Sequence, residues 1–194
     1  MLLLYADTSG ADESRARVSG HTRAKGSAWA RCLLETAWAR RCGGPMPDPA
    51  YTEKGKPYFP ERPDVHFSIS HTNGVALCVF GTAEVGADVE RPRKLYPGTE
   101  KRVLSPEEAG QFGFFEVWTL RESYFKLSGR GNWSEPRFRR EGGSVRCADG
   151  RAVCVLTQLL GCPAALCTWE PVGFEAEQIP IEMLVNHPPL NLTV

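Results

Sequence analysis

Two acidic residues, Asp88 and Glu90, lie two positions apart in the alternating stretch Val-Gly-Ala-Asp-Val-Glu at 85–90. Residues two apart on a β-strand point to the same face, so the two carboxylates are expected to project side by side. Clustered anions repel each other unless a cation lies between them. Taken alone, the pair is part of a cation site, part of a solvated strand face, since acidic residues are mostly exposed, or includes an aspartate that caps a neighbouring element.

A second charged pair, Glu122 and Lys126, lies in a stretch with helical character. Residues four apart share one helix face, and such a pair is often only a surface ion pair. If Glu122 joins Asp88 and Glu90, the three carboxylates form a typical ligand set for Mg2+, which binds carboxylates, waters and substrate phosphates. Lys126 would then face the same phosphates as a point charge. Trp118 and Phe125 mark a neighbouring apolar face, which we predict to be core.

The elements that position these residues follow from periodicity and from local signals. Ser-Pro-Glu-Glu at 105–108 predicts a helix start, because serine caps, proline suits the first turn and glutamates favour the positive helix end. Gly129 and Gly131 predict the end of the helix that carries Glu122 and Lys126. The predicted helices span 26–41 and 115–127, and the predicted strands span 1–5, 66–70, 75–80, 85–90, 144–147, 151–157 and 165–170. A Thr-Asn-Gly turn at 72–74 predicts a hairpin.

The composition is that of an ordinary globular chain. Its 194 residues are 42% hydrophobic and 24% charged, with a formal net charge of zero. No global basic field is available to attract nucleic acid or an anionic membrane, so neither is expected as a partner. Seven cysteines without a C-x-x-C pair indicate reduced structural thiols rather than zinc ligands or disulfides, and we expect a cytoplasmic protein.

Four segments resemble the motifs of the Sfp-type 4'-phosphopantetheinyl transferase family. The strand stretch at 85–90 is similar to G-[IV]-D-x-E, with Ala87 in place of Ile or Val. The stretch from Trp118 to Gly131 is similar to W-x-x-K-E-[SA]-x-x-K-x-x-G-x-G, with Arg121 at the position of the first lysine. Upstream, Phe-Ser-Ile-Ser-His-Thr at 67–72 resembles F-N-[LI]-S-H-S, and Gly-Lys-Pro at 55–57 resembles the family's G-K-P element. The four occur in the family's order and cover roughly residues 55–131.

The resemblance implies a role for each matching residue. Asp88, Glu90 and Glu122 would hold Mg2+ on the pyrophosphate of coenzyme A, and Glu122 would also accept the proton of a carrier-protein serine. Lys126 would bind the cofactor and neutralise or protonate the leaving 3',5'-ADP. The remaining implied coenzyme A contacts are Ser70 and His71 for phosphate, and Lys56 and Pro57 for the adenine side.

Plainer interpretations of several basic residues stay open. His71 is also consistent with a turn histidine, and Lys56 with an exposed loop lysine. Arg17, Arg23 and Lys25 are either ligands of the 3'-phosphate or solvated surface charge. Arg121 retains a positive charge but changes the hydrogen-bonding geometry relative to lysine.

The fold implied by the resemblance is α+β, with two similar halves related by pseudo-twofold symmetry. We place an N-terminal half at 1–84 on the nucleotide side and a C-terminal half at 85–194 with the Mg2+ site. The implied activity transfers 4'-phosphopantetheine from coenzyme A to a serine of an acyl or peptidyl carrier protein, in fatty-acid, polyketide or nonribosomal-peptide synthesis. The chain is expected to be a monomer. The alternatives are a non-catalytic homologue that binds coenzyme A or the carrier, and a Mg2+-dependent nucleotide hydrolase.

Overall fold

Two main β-sheets, each covered by one long helix, make up the α+β fold. The computed structural model describes residues 1–16, 28–129 and 136–185. The strands are β1 (Leu2–Asp7), β2 (Ala50–Tyr51), β3 (Pro57–Tyr58), β4 (His66–Thr72), β5 (Val75–Gly81), β6 (Val85–Val89), β7 (Phe138–Glu141), β8 (Ser144–Cys147), β9 (Val153–Leu159), β10 (Cys162–Thr168) and β11 (Glu175–Gln178). The α-helices are α1 (Ala28–Arg41), α2 (Thr99–Val103), α3 (Pro106–Ala109), α4 (Phe114–Ser128) and α5 (Ile181–Val185).

The first sheet has the order β11-β1-β5-β4, and the second has the order β6-β10-β9-β8-β7. All neighbours are antiparallel except β1 and β11, which pair in parallel. β1 is therefore an interior strand; its apolar sequence predicts burial but leaves an edge or a central place open. Because β11 pairs with β1, the chain returns to the first sheet after completing the second.

Four layers of secondary structure enclose three apolar clusters. α1 packs on one face of the first sheet through residues such as Trp29, Leu33 and Phe67. The opposite face, including Leu77 and Val79, packs against the second sheet. α4 covers the far side of the second sheet, where Leu120 meets Cys167. Burying both faces of each sheet supplies the main apolar driving force for this arrangement.

Local signals place several elements as the sequence predicts. β4 and β5 form a hairpin in which Thr72 pairs with Val75 across Asn73 and Gly74. Gly74 has a φ of 78°, the left-handed conformation that such two-residue turns require. The hydroxyl of Ser105 accepts a hydrogen bond from the Glu108 N–H, and the Glu108 carboxylate accepts one from the Ser105 N–H. This capping box begins α3.

Element bounds differ from the sequence-based prediction mainly in the second sheet. β9 and β10 begin at Val153 and Cys162, where the pattern predicts strands at 151–157 and 165–170. The prediction that Trp118 and Phe125 belong to the core is wrong, because both are only partly buried. The face of α4 that is buried carries Val117 and Leu120 instead.

All seven cysteines are free thiols, and six of them are buried. Burial raises the pKa of the Cys32 thiol to about 12, which keeps it protonated at neutral pH. Across the described ranges 1–16, 28–129 and 136–185, no helix is both long and apolar enough to cross a bilayer.

Candidate active site

The candidate site lies where β4, the edge strand of the first sheet, runs beside β6, the edge strand of the second. Alternate hydroxyl side chains of β4 bridge the two strands. Ser68 Oγ accepts from the Ala87 N–H at 2.9 Å, and Ser70 Oγ donates to Asp88 Oδ1 at 2.7 Å. We call the row of hydrogen bonds made by the hydroxyl groups of Ser68, Ser70 and Thr72 between the two strands the hydroxyl seam. It brings the Ser-His segment next to the Asp-x-Glu segment.

Gly86 lets helix α4 approach β6 closely. A Cβ at Gly86 would lie 1.9 Å from the Ser123 carbonyl oxygen and 2.4 Å from the Leu127 nitrogen. Only a residue without a side chain permits this backbone-to-backbone contact. The contact brings the C-terminal half of α4, which carries Lys126, onto the strand that carries Asp88.

The Lys126 ammonium joins both strands of the seam. Its Nζ donates to Asp88 Oδ1 at 2.8 Å, to the Ala87 carbonyl oxygen at 3.1 Å and to the Ile69 carbonyl oxygen at 3.4 Å. The Lys126 side chain remains 29% exposed, so part of it faces solvent. The two separate motifs, Asp-x-Glu and the helix motif, therefore meet at this ion pair.

Asp88 is buried, and its two carboxylate oxygens have different environments. Oδ1 accepts from both Ser70 and Lys126, whereas no group among the described residues donates to the buried Oδ2. Buried polar atoms normally have a hydrogen-bond partner, so a buried carboxylate oxygen without a donor suggests a missing partner such as a cation. The donor chemistry of Asp88, Glu90 and Glu122 fits Mg2+, which prefers carboxylate oxygens.

These three carboxylates are not gathered into a preformed cluster. Within the parts of the chain that the structure describes, no three Asp, Glu, His or Cys side chains are close enough together to hold a metal. Glu90 Oε2 accepts from Arg93 Nη1 at 2.7 Å and lies 3.5 Å from Thr72 Oγ1. Glu122 is half-buried, one turn before Lys126 on α4. The metal assignment of these residues stays a prediction.

A cavity of about 250 Å³ lies beside the seam, between α1, β4 and the end of α4. Lys56, Pro57 and Lys126 all line it, which brings three of the predicted coenzyme A residues together. Lys56 Nζ donates to the Leu127 carbonyl oxygen at 2.8 Å, near the C-terminus of α4. Burial lowers the pKa of Lys56, although Glu84 acts in the opposite direction. Lys56 is thus half-buried and bonded to the helix, in contrast to a freely exposed loop lysine.

Ser70 and His71 point to opposite faces of β4, as strand geometry requires for consecutive residues. Ser70 is buried in the hydroxyl seam, whereas His71 is exposed. Alternation places His71 on the same face as Phe67 and Ile69, which line the cavity. The structure therefore brings Ser70 to Asp88 and leaves His71 exposed near the end of β4, outside the set of residues that line the cavity.

Arg121 does not face the site. Its guanidinium is fully buried and donates to Glu108 Oε2 at 2.8 Å, to the Val103 carbonyl at 2.8 Å and to the Pro136 carbonyl at 3.3 Å. Arg137 also pairs with Glu108. The residue at the family's lysine position in this chain thus ties α4 to α3 and to the segment before β7. The capping-box position of Glu108 was visible in the sequence, but its pairing with Arg121 was not.

The basic residues Arg17, Arg23 and Lys25, predicted as possible ligands of the 3'-phosphate, lie outside the described residues. The same holds for Gly131 at the end of the helix motif. The preceding Gly129 is described and ends α4 with a left-handed φ of 58°. The sequence-based helix end at this glycine is confirmed.

Comparison with known proteins gives several related chains, although no family model matches. A 4'-phosphopantetheinyl transferase of Bacillus subtilis is 32% identical over 148 residues, which cover 64% of this chain and 63% of the relative. The 4'-phosphopantetheinyl transferase Sfp of B. subtilis strain 168 is 32% identical over 89 residues, or 41% of this chain and 40% of Sfp. The 4'-phosphopantetheinyl transferase AcpT of Salmonella typhi is 30% identical over 106 residues, or 48% of this chain and 55% of AcpT.

The chain spans less than two thirds of the length of these relatives. Proteins from three bacterial genera nevertheless match this chain at 30–32% identity, and all of them are named 4'-phosphopantetheinyl transferases. The resemblance predicted from the four motifs is confirmed by these matches. Over the matched part of its length, this chain is similar in sequence to 4'-phosphopantetheinyl transferases, among them Sfp of B. subtilis.

Proposed function

We propose that this protein transfers the 4'-phosphopantetheine group of coenzyme A to a serine of an acyl or peptidyl carrier protein, releasing 3',5'-ADP. The observation that carries the proposal is the 2.8 Å contact between Lys126 and Asp88 in a chain related to 4'-phosphopantetheinyl transferases. It joins residues from two motifs that are far apart in sequence. The ammonium groups of Lys126 and Lys56 supply positive charge at the junction of the two sheets, which suits a polyanionic substrate such as coenzyme A.

In this proposal, Asp88, Glu90 and Glu122 hold a Mg2+ ion. The bound ion supplies charge neutralisation for the pyrophosphate of coenzyme A during attack. The buried Oδ2 of Asp88, which has no donor among the described residues, supports the assignment of the first ligand. Glu90 is paired with an Arg93 side chain that is 60% exposed, and such an exposed pair contributes little energy and is readily exchanged for another cation.

The reacting groups are the carrier serine and the pyrophosphate. The serine oxygen forms a bond to the phosphorus that carries pantetheine, and the anhydride P–O bond on its other side breaks. The leaving 3',5'-ADP takes the bonding electron pair, and the serine proton passes to Glu122, directly or through water. Lys126 stabilises the negative charge that develops on the leaving phosphate, because its ammonium is already fixed at the site by backbone carbonyls.

The nucleotide end of coenzyme A is assigned to the cavity beside the seam. Pro57 and the stem of Lys56 supply an apolar wall for adenine, and His71 lies on the same face of β4 for contact with phosphate. Ser70 donates its hydroxyl proton to Asp88, so we assign it no phosphate contact in this proposal.

We also propose that halves at 1–84 and 85–194 are related by a pseudo-twofold axis. Support comes from the order of elements: β1-α1-β4-β5 in the first half parallels β6-α4-β9-β10 in the second. The sheet orders β1-β5-β4 and β6-β10-β9 match as well. The seven free thiols are consistent with a reducing, cytoplasmic location, and we propose a monomer that acts on soluble carriers.

The test is the intact mass of purified apo carrier proteins after incubation with this protein, coenzyme A and Mg2+. A gain equal to one phosphopantetheine group supports the proposal. Glu122→Gln is the matched control, because it keeps the side-chain shape but removes the base and a metal ligand, and it should give no gain while remaining folded. Bound coenzyme A with no gain on any carrier type supports the non-catalytic alternative. Release of 3',5'-ADP without a carrier supports the nucleotide hydrolase.

A further inference from the structure

The middle residue of the hydroxyl seam differs from its neighbours in what it bonds. Ser68 accepts from the Ala87 backbone N–H at 2.9 Å, and Thr72 accepts from the Arg91 backbone N–H at 3.1 Å. In both contacts a hydroxyl side chain accepts from a backbone N–H across the seam, and Thr72 Oγ1 also lies 3.5 Å from Glu90 Oε2. Among the described residues, Ser70 accepts from no backbone N–H and bonds only to the Asp88 side chain, although it is as buried as Ser68.

The direction of the Ser70 bond follows from its chemistry. A carboxylate oxygen only accepts hydrogen bonds, so the single proton of the Ser70 hydroxyl is donated to Asp88 Oδ1. The contact of 2.7 Å has the length of a strong charge-assisted bond. While this bond persists, Ser70 has no proton to donate to a nucleotide phosphate.

Two donors on one oxygen fix the orientation of the Asp88 carboxylate. The torsion that rotates a carboxylate is broad, so packing alone does not select which oxygen faces a given direction. Ser70 and Lys126 both bind Oδ1, from β4 and from α4 respectively. Oδ2 is thereby held as the oxygen that is buried without a hydrogen-bond donor among the described residues.

We propose that Ser70 is a positioning residue: it orients the Asp88 carboxylate so that Oδ2 meets a divalent cation, and it does not itself bind the nucleotide. The inference rests on the proposed function only in assigning a cation to Asp88. Hydrogen bonds that orient a metal-binding carboxylate commonly change metal affinity by about 10- to 100-fold when removed. Ser70 would act in this way through a hydroxyl that never touches the ion.

The first experiment measures Mn2+ binding to the whole protein by electron paramagnetic resonance, without coenzyme A. We expect Ser70→Ala to weaken Mn2+ binding about tenfold or more. Ser68→Ala is the matched control, because it removes an equally buried seam hydroxyl that contacts only backbone, and its Mn2+ affinity should stay within about twofold of wild type. Ser70→Thr keeps the hydroxyl and should restore most of the affinity. Urea unfolding of all three variants separates loss of fold from loss of binding.

The second experiment measures coenzyme A affinity by calorimetry in EDTA, where no divalent cation contributes. If Ser70 only positions Asp88, Ser70→Ala should bind coenzyme A in EDTA as the wild type does. Weaker binding there would show that the serine contacts the nucleotide and would overturn the inference. So would Mn2+ affinities that are equal in Ser68→Ala and Ser70→Ala, a folded Ser70→Thr as weak as Ser70→Ala, or a wild type that binds no Mn2+. A wild type with Ser70-dependent Mn2+ binding but no transferase activity would refute the proposed function alone.

Discussion

Lys126 Nζ lies 2.8 Å from Asp88 Oδ1 and joins the end of α4 to strand β6. Two backbone carbonyls, one from each strand of the seam, complete the environment of the ammonium. The same lysine therefore has a structural role in holding the seam and a proposed chemical role toward the leaving phosphate. A substitution of Lys126 can therefore change stability through the first role and turnover through the second.

We expect Lys126→Met to slow turnover by at least about tenfold, because it keeps the length and apolar stem of the side chain but removes a charge-assisted contact. Lys126→Arg keeps the charge and should retain more activity, although a planar guanidinium does not match the three acceptors of an ammonium. Rates of carrier modification, measured by intact mass, test the prediction. A change below about twofold in a folded Lys126→Met variant would remove the charge from the chemistry.

Gly86 should tolerate no side chain, since a Cβ there would meet the backbone of α4 at 1.9 Å. We expect Gly86→Ala to lower the free energy of unfolding by about 1–3 kcal/mol, the usual range for overpacking, and to reduce activity by moving Lys126 away from Asp88. Gly173→Ala is the control, because that glycine has open space around its Cβ position. Urea unfolding of both variants gives the comparison, and equal midpoints would contradict the predicted close contact.

Arg121 should matter for stability rather than for the site. We expect Arg121→Met to lower the free energy of unfolding by about 3–5 kcal/mol, because it leaves the buried Glu108 carboxylate without its main cation. Arg137→Met is the matched control: its side chain binds the same carboxylate but is 45% exposed, so the loss should be about 0–1 kcal/mol. Urea unfolding at neutral pH measures both. Similar losses in the two variants would refute the distinction.

Glu108 should also make stability depend on pH. Burial acts to raise the pKa of this carboxyl group, but the backbone N–H of Ser105 and the Arg121 guanidinium outweigh it, and the net pKa is below the ordinary value. A carboxyl group with a lower pKa in the folded state contributes stability above its unfolded pKa of about 4.3, and this contribution is lost as pH falls through the folded pKa.

We therefore expect the unfolding free energy of the wild type to fall below about pH 4.3 more steeply than that of Glu108→Gln. The variant cannot ionise at this position, so its acid dependence reflects the other groups only. Urea unfolding at a series of acidic pH values provides the measurement. Parallel pH profiles for the two proteins would show that Glu108 titrates alike in the folded and unfolded states.

Local sequence was sufficient for the elements that carry the site. Alternation predicts β4 and β6, helical spacing predicts α4, and Ser105 and Gly129 mark helix ends because capping depends on neighbouring residues only. Four motifs in order were also enough to identify the related family. These features are short-range, so they are present in the sequence before any tertiary contact forms.

Tertiary structure alone decided which partners the charged residues meet. The sequence shows Ser70, Lys56 and Arg121 as donors, but only packing directs them to Asp88, to the end of α4 and to Glu108. These partners lie between 13 and 71 positions away along the chain. Periodicity reports which face of an element a residue occupies; the identity of the opposing group is set by how β4, β6 and α4 dock, and that docking is decided by burial of apolar surface and by the absence of a side chain at Gly86.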